Sequence, residues 1–313
     1  MAGKVYSLDA KTGCVHWAVN AAAQIRSGLV IAPLGARTLL VYGDATGQVW
    51  ALDAGSGRQI WTYRRNRTQG ITGNAAIGFN RGVAQAGDRI FLLTDNAHLI
   101  AVSKANGELL WETTMADSKE NYNGTSAPLV AGGLVISGTA GGDEGVRGFV
   151  AAYDPQTGKE VWRFHTVPQP GEANFGTWGL NGWQDRRGPG AWVNFAVDLE
   201  NDLVFVPTGQ PTDQNFGAHR PGTNLYSSSL IALQASTGKL KWFHQFVPHD
   251  THDWDANQTP VLADLTINGQ PRKVLMQANR NGFLFVLDRT NGKFIHAWSY
   301  ANQNWANGYS SEG

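Results

Sequence analysis

Three aspartates and two histidines fall within the eight residues Pro248-His-Asp-Thr-His-Asp-Trp-Asp255. Side chains at that density could hold a zinc or calcium ion, supply a general base, or close a loop on its own backbone. No i,i+4 helical spacing supports the zinc reading. A second candidate is the Gly-rich stretch Ala140-Gly-Gly-Asp-Glu-Gly145. Its glycines let backbone approach a flat ligand closely, and the carboxylates of Asp143 and Glu144 suit a hard cation such as Ca²⁺. Arg81, beside Gly82, carries a guanidinium fork that pairs bidentately with carboxylates, the plain alternative being a surface arginine. Trp192 could stack on a planar cofactor, but the chain has 12 tryptophans and most should be packing residues.

These side chains need a scaffold, and a repeat supplies it. Six segments share one template: 5–17, 49–61, 99–111, 150–162, 230–242 and 284–298. Each is an apolar alternating run, a turn of the type D-x-x-T/N-G, and a second alternating run. The turn glycines Gly13, Gly57, Gly107, Gly158, Gly238 and Gly292 stand 44 to 54 residues apart, except for one gap of 80. In the first five units a Trp follows four residues after the Gly; in the sixth, His296 takes that place and Trp298 comes two later. Glycine supplies the positive φ of a tight hairpin, and the Asp or Asn closes the turn locally. A period near 45–50 residues with about four strands per unit is that of propeller blades, and a Trp fixed in each unit packs between neighbours. No convincing 3.6-period helix appears. The fold expected is all-β, a β-propeller of four-stranded antiparallel blades, with about five and a half present. The expectation for residues 1–313 is a single propeller domain, incomplete at both ends. The 80-residue gap reads as one blade with strands near Trp192–Val197, Leu203–Pro207 and Ser227–Leu233. Its two long loops, Val167–Pro189 and Gln210–Asn224, are where a binding site is expected.

Composition narrows the function. With 25 basic and 25 acidic residues the formal charge is zero, which argues against a nucleic-acid binder. A 42% hydrophobic content with 11% aromatics excludes a disordered chain. Cys14 is the one cysteine, so no disulfide, C-x-x-C pair or haem-attachment motif can form. There is no run of 18 apolar residues to span a membrane, and residues 1–9 show no apolar signal-peptide core.

Longer stretches carry a resemblance. Asn80-Arg-Gly-Val-Ala84, Asn123-Gly-Thr-Ser-Ala-Pro128, Gly145–Asp154, His249-Asp250 with Asp253, and Lys273–Asp288 resemble the pyrroloquinoline quinone (PQQ) dehydrogenases, from about Val49 to Trp305. The catalytic propellers of that family have eight blades. The resemblance implies an alcohol, polyol or sugar dehydrogenase using PQQ and Ca²⁺, or another divalent or lanthanide ion, in the periplasm. Its external electron acceptor would be cytochrome c or ubiquinone. It implies that Arg81, Thr125, Ala140, Gly141, Gly142, Trp192 and Arg280 contact the quinone. Asp143 and Gln210 would hold the metal, with Glu144 the alternative to Asp143. Arg280 would polarise the quinone carbonyl, and Asp253, as in the glucose branch, would be the base.

Three departures point away from methanol dehydrogenase. Thr223 stands where the methanol and ethanol enzymes have an aspartate base, Gln210 where they have an asparagine ligand, and Ala75-Ala76 where they have adjacent cysteines. The competing expectation is a non-catalytic scaffold propeller of the BamB type; a third is a degenerate fragment.

Overall fold

The computed structural model describes residues 3–179, 186–311 and 313. Residues 180–185, within the first of the long loops, lie outside this set.

The repeats fold as antiparallel meanders in which each strand pairs with its sequence neighbours. A hairpin comes first, β1 (Lys4–Leu8) with β2 (Val15–Asn20). Four-stranded sheets follow: β3 (Val30–Leu34), β4 (Arg37–Gly43), β5 (Val49–Asp53) and β6 (Gln59–Tyr63); then β7 (Val83–Ala86), β8 (Arg89–Leu93), β9 (His98–Ser103) and β10 (Leu109–Thr114). The next holds β11 (Leu129–Ala131), β12 (Leu134–Gly138), β13 (Phe149–Tyr153) and β14 (Glu160–His165). The last two hold β15 (Ala196–Asp198), β16 (Leu203–Pro207), β17 (Ser229–Gln234) and β18 (Leu240–Gln245), then β19 (Val261–Ile267), β20 (Gln270–Ala278), β21 (Phe283–Asp288) and β22 (Phe294–Ser299). Five full sheets and a hairpin agree with the blade count read from the repeats. Helix among the described residues is limited to the turn Gly73–Ala76 and two 3₁₀ turns.

Cα packing divides the chain into two units, residues 1–139 with 153–160, and residues 140–152 with 161–313. In the first unit, Leu39, Val41, Ala51, Ile90, Leu92, Ile100 and Val102 form a buried cluster with Trp61. The repeat tryptophan works as a peg. Trp61 Nε1 donates to Lys104 O at 2.9 Å, and its ring covers Gly107, where a Cβ would lie 2.6 Å from the ring. Gly107 has φ +77°, so the hairpin and the peg both require glycine there. Within the second unit, Trp162 Nε1 donates to Ala235 O at 3.0 Å and its ring covers Gly238 in the same way. The turn aspartates act as expected: Asp154 Oδ1 accepts from Thr157 N and Oγ1, each at 2.8 Å.

The second unit's core runs from Leu203, Phe205 and Leu230 through Trp242 and Phe246 to Leu275, Phe285 and Leu287. The expected strand near Trp192–Val197 is corrected: β15 starts only at Ala196. The backbone ahead of it is engaged across loops instead, Gly209 N donating to Gly190 O and Gly188 N to Val146 O, each at 3.0 Å. Alternating apolar residues there pack inward without joining a ladder. Trp192 is therefore a loop residue, like the rest of the site.

His244 on β18 has its ring among Phe246, Phe285 and Phe294, with centroids 5.0, 6.0 and 6.3 Å away. Its buried Nε2 has no hydrogen-bond partner among the described residues, and burial pushes its pKa down from 6.5 to about 4. The unfolded chain therefore takes up this proton first as pH falls. The contribution is fully present above pH 6.5 and is lost as pH drops toward 4, by about 3 kcal/mol. Urea unfolding at pH 7 and pH 4.5 should show this loss in the unsubstituted chain and a much smaller one in His244→Leu.

Candidate active site

The long loops of the second unit meet around one basic and several acidic side chains. The loop 249–255 is organised by Asp250, which is 1% exposed. Its Oδ1 accepts from His252 N at 2.8 Å, and its Oδ2 from Trp254 N at 3.0 Å and Ser228 Oγ at 2.8 Å. Arg220 fastens this loop to its neighbour, donating to Asp250 O at 2.6 Å, Asp213 O at 2.9 Å and Asn224 Oδ1 at 2.7 Å. So bound, the loop carries two non-glycine residues with left-handed backbone, His249 (φ 51°) and Asp253 (φ 58°). Each such residue costs on the order of 1 kcal/mol or more, and such strain collects where side chains are aimed for function.

Asp253 and Asp255 both face Arg280, at the tight turn between β20 and β21. Arg280 Nη2 lies 3.8 Å from Asp253 Oδ2, and Nη1 lies 3.4 Å from Asp255 Oδ2. The two acids differ in setting. Asp253 keeps 39% of its side chain exposed, so a small molecule can reach it. Burial raises its pKa; Arg280 opposes that, while Asp143 and Asp250 add to it. Asp255 is buried, with Oδ1 accepting from Gln210 N at 3.2 Å and Asn257 Nδ2 at 3.0 Å. Its pKa is pushed up to about 7, first by burial and then by the charge of Asp253.

Gln210, 4% exposed, links this pair to the Gly-rich turn: its Nε2 contacts Asp143 Oδ1. The turn is held there by Thr212 Oγ1 donating to Gly142 O at 2.6 Å, and a Cβ on Gly142 would lie 3.2 Å from Gly188 O. Ala140 and Gly141 are buried on the approach to Asp143. Trp192 borders the same place, since a Cβ on Gly209 would lie 2.7 Å from Asp255 Oδ1 and 3.3 Å from Trp192 Nε1. Asp143, Gln210, Trp192, Asp253 and Arg280 thus gather in one unit. Of the two acids in the turn, it is Asp143 that contacts Gln210; Glu144 is half-buried, with a pKa raised mainly by burial.

Arg81 and Thr125 lie in the first unit, joined by Arg81 N and Nη1 donating to Thr125 O at 3.1 and 3.2 Å. The carbonyl of Thr223 accepts from His249 N at 3.1 Å and Gln245 Nε2 at 2.7 Å, tying this residue to the loop that carries Asp253. In the sequence Asp255 is one member of the His/Asp cluster with no role of its own, and Asn257 carries no signal. The Asp-x-Asp spacing with Asp253 was the available signal for the first.

Among the described residues no group of three His, Cys, Asp or Glu side chains converges on one metal position. A cation here would need mixed carboxylate and amide oxygens, from Asp143, Gln210 and Asp255. Two features fit it: the charge of Asp143 adds to the upward shift of both Asp253 and Asp255, and the buried Asn257 Oδ1 lacks a hydrogen-bond partner among the described residues.

The PQQ family profile described as glucose/ethanol/alcohol dehydrogenase, beta-propeller domain, matches residues 20–299. The chain belongs to the PQQ-dependent dehydrogenase family. It is 40% identical over 293 residues, 89% of its length, to the quinohemoprotein alcohol dehydrogenase ADH IIB of Pseudomonas putida, of which it covers 42%. The structure superposes on that of the quinohemoprotein alcohol dehydrogenase from Comamonas testosteroni with a TM-score of 0.82 at 34% identity, covering 93% of this chain and 45% of that one. A europium-containing methanol dehydrogenase gives the same TM-score at 29% identity, with coverage of 93% and 55%. The fold is accordingly that of the family's β-propellers, and membership of this family replaces the scaffold reading. The chain spans about two-fifths to half the length of the curated relatives it matches.

Proposed function

We propose that this PQQ-family chain forms the reaction site of a quinoprotein dehydrogenase that oxidises an alcohol, with polyols and sugar hydroxyls as wider candidates. The observation that carries this reading is Arg280 set against both Asp253 and Asp255 beside Gln210 and Asp143. When bound, PQQ supplies a two-electron acceptor that takes the hydrogen of the carbinol carbon as hydride.

The chain's own part is binding and proton handling. Asp253, reachable and set against Arg280, accepts the hydroxyl proton as the carbonyl product forms. Arg280 would offer a fixed positive charge to negative charge developing on a bound quinone, and its second contact, with Asp255, holds it in place. Trp192 offers a flat face for stacking. Asp143 and Gln210, with Asp255, would hold Ca²⁺ or another divalent or lanthanide ion, which would supply Lewis-acid polarisation. Arg81 and Thr125 retain the roles the family implies, as carboxylate and hydroxyl contacts of the quinone. Electrons then pass to an external acceptor, cytochrome c or ubiquinone, in a periplasmic setting. Among the described residues no helix is long and apolar enough to cross a membrane.

Dye reduction by the chain with PQQ and Ca²⁺, across primary alcohols, polyols and aldoses, tests the reading. Alcohol-dependent reduction is expected, and its absence with every substrate while quinone is bound would contradict it. Asp143→Ala should weaken Ca²⁺ binding in isothermal titration by at least the 10–100-fold typical of losing a residue that merely supports a metal ligand.

A further inference from the structure

We propose that Arg26 is a second guanidinium contact for the carboxylates of the bound quinone, set with Arg81 on the ring of Phe79. The proposal rests on the quinoprotein reading above, and it concerns residues of the first unit alone.

Three segments are stitched together there. Gly28 N donates to Arg81 O at 2.9 Å, and Arg81 N to Thr125 O at 3.1 Å. At Gly82, whose φ is +139°, a Cβ would lie 3.4 Å from both Gly28 N and Ala127 Cβ. This close approach brings Arg26 and Arg81 to the same aromatic ring. Arg26 Cζ lies 4.2 Å from the Phe79 centroid and Arg81 Cζ 5.3 Å from it. A ring face attracts each cation and limits its freedom, so both forks are pre-organised.

The arrangement has an electrostatic cost. Two like charges share one ring, and Arg81's pKa is lowered to about 10, first by burial and then by the charge of Arg26. A ligand that brings more than one carboxylate relieves that repulsion and gains charge-assisted hydrogen bonds from both forks. PQQ, a planar tricarboxylic acid, is such a ligand. The side chain of Arg26 is exposed, and within the Gln24–Gly28 stretch backbone bonds already fix its position, Ala45 N donating to Gln24 O at 2.9 Å and Gly28 N to Arg81 O. Its removal should therefore leave the fold intact.

The test is equilibrium dialysis of PQQ against the chain and its Arg26→Gln and Arg26→Lys variants at low and high salt, with unfolding midpoints measured alongside. Arg26→Gln is expected to weaken quinone binding roughly 10–100-fold, the range for losing a charged hydrogen-bond partner. It should also flatten the salt dependence, while Arg26→Lys keeps the salt dependence and recovers part of the affinity. Equal binding by Arg26→Gln and the unsubstituted chain at low salt overturns the role of Arg26 and leaves the quinoprotein reading standing. No binding by the unsubstituted chain overturns both.

Discussion

Asp253→Asn is expected to lower kcat for alcohol oxidation by about 10³-fold, within the range a positioned general base contributes. Quinone binding should change far less. The amide keeps the shape of the side chain and can still meet Arg280, but it cannot take a proton. The geometry selects Asp253 over its neighbour. Asp253 is 39% exposed and reachable, whereas Asp255 is enclosed, with Oδ1 already accepting from Gln210 and Asn257. The pH profile gives an independent readout. Burial holds the Asp253 carboxyl above its ordinary 3.8, so kcat/KM should rise with pH as this group loses its proton. In Asp253→Asn that acid limb should vanish. A variant retaining both the rate and the limb would move the base elsewhere, with Asp255→Asn the next substitution to measure.

Trp162→Ala is expected to destabilise the chain by about 3–5 kcal/mol, the cost of emptying a large aromatic site in a packed interior. Trp162 is 8% exposed; it donates to Ala235 O at 3.0 Å and covers Gly238. Neither the hydrogen bond nor the ring contact can be replaced by an alanine. Trp298, 51% exposed, is the internal control, and its alanine variant should stay within about 0.5 kcal/mol as surface changes do. Trp242 separates packing from hydrogen bonding. It is equally buried over Gly292, yet its Nε1 has no partner among the described residues. Substitution by Phe should therefore cost about 1 kcal/mol less at Trp242 than at Trp162. Urea unfolding of the variants measures all of these, and equal losses at 162 and 298 would contradict the peg role.

The scaffold was legible because its determinants are local. An Asp that accepts from a residue three along, a glycine at positive φ and a Trp four further on write the hairpin and its contact into thirteen residues. Asp143, Gln210, Trp192, Asp253 and Arg280 were legible one by one, through family motifs rather than spacing. What they do together was hidden, because their meeting depends on loops held by long-range bonds. Arg220, in sequence an ordinary cation in a Gly- and Pro-rich loop, joins two loops through three acceptors from residues 4, 7 and 30 positions away. Asp250 looked like one more member of a His/Asp cluster and is the organiser of its turn. Asp255 had no role of its own in the cluster, because its bonds to the Gln210 amide and Arg280 span 45 and 25 residues. Trp192 was assigned to a strand because alternation records burial, not hydrogen bonding.

In a working site of this kind, electrons from an alcohol reach a quinone held by this chain. The direct measurement is a single turnover: PQQ-loaded protein with Ca²⁺, mixed anaerobically with a primary alcohol, its absorbance followed from quinone to quinol. The prediction is full conversion by the unsubstituted chain, at a rate about 10³-fold slower in Asp253→Asn. Bound quinone whose spectrum stays unchanged on adding alcohol would contradict it.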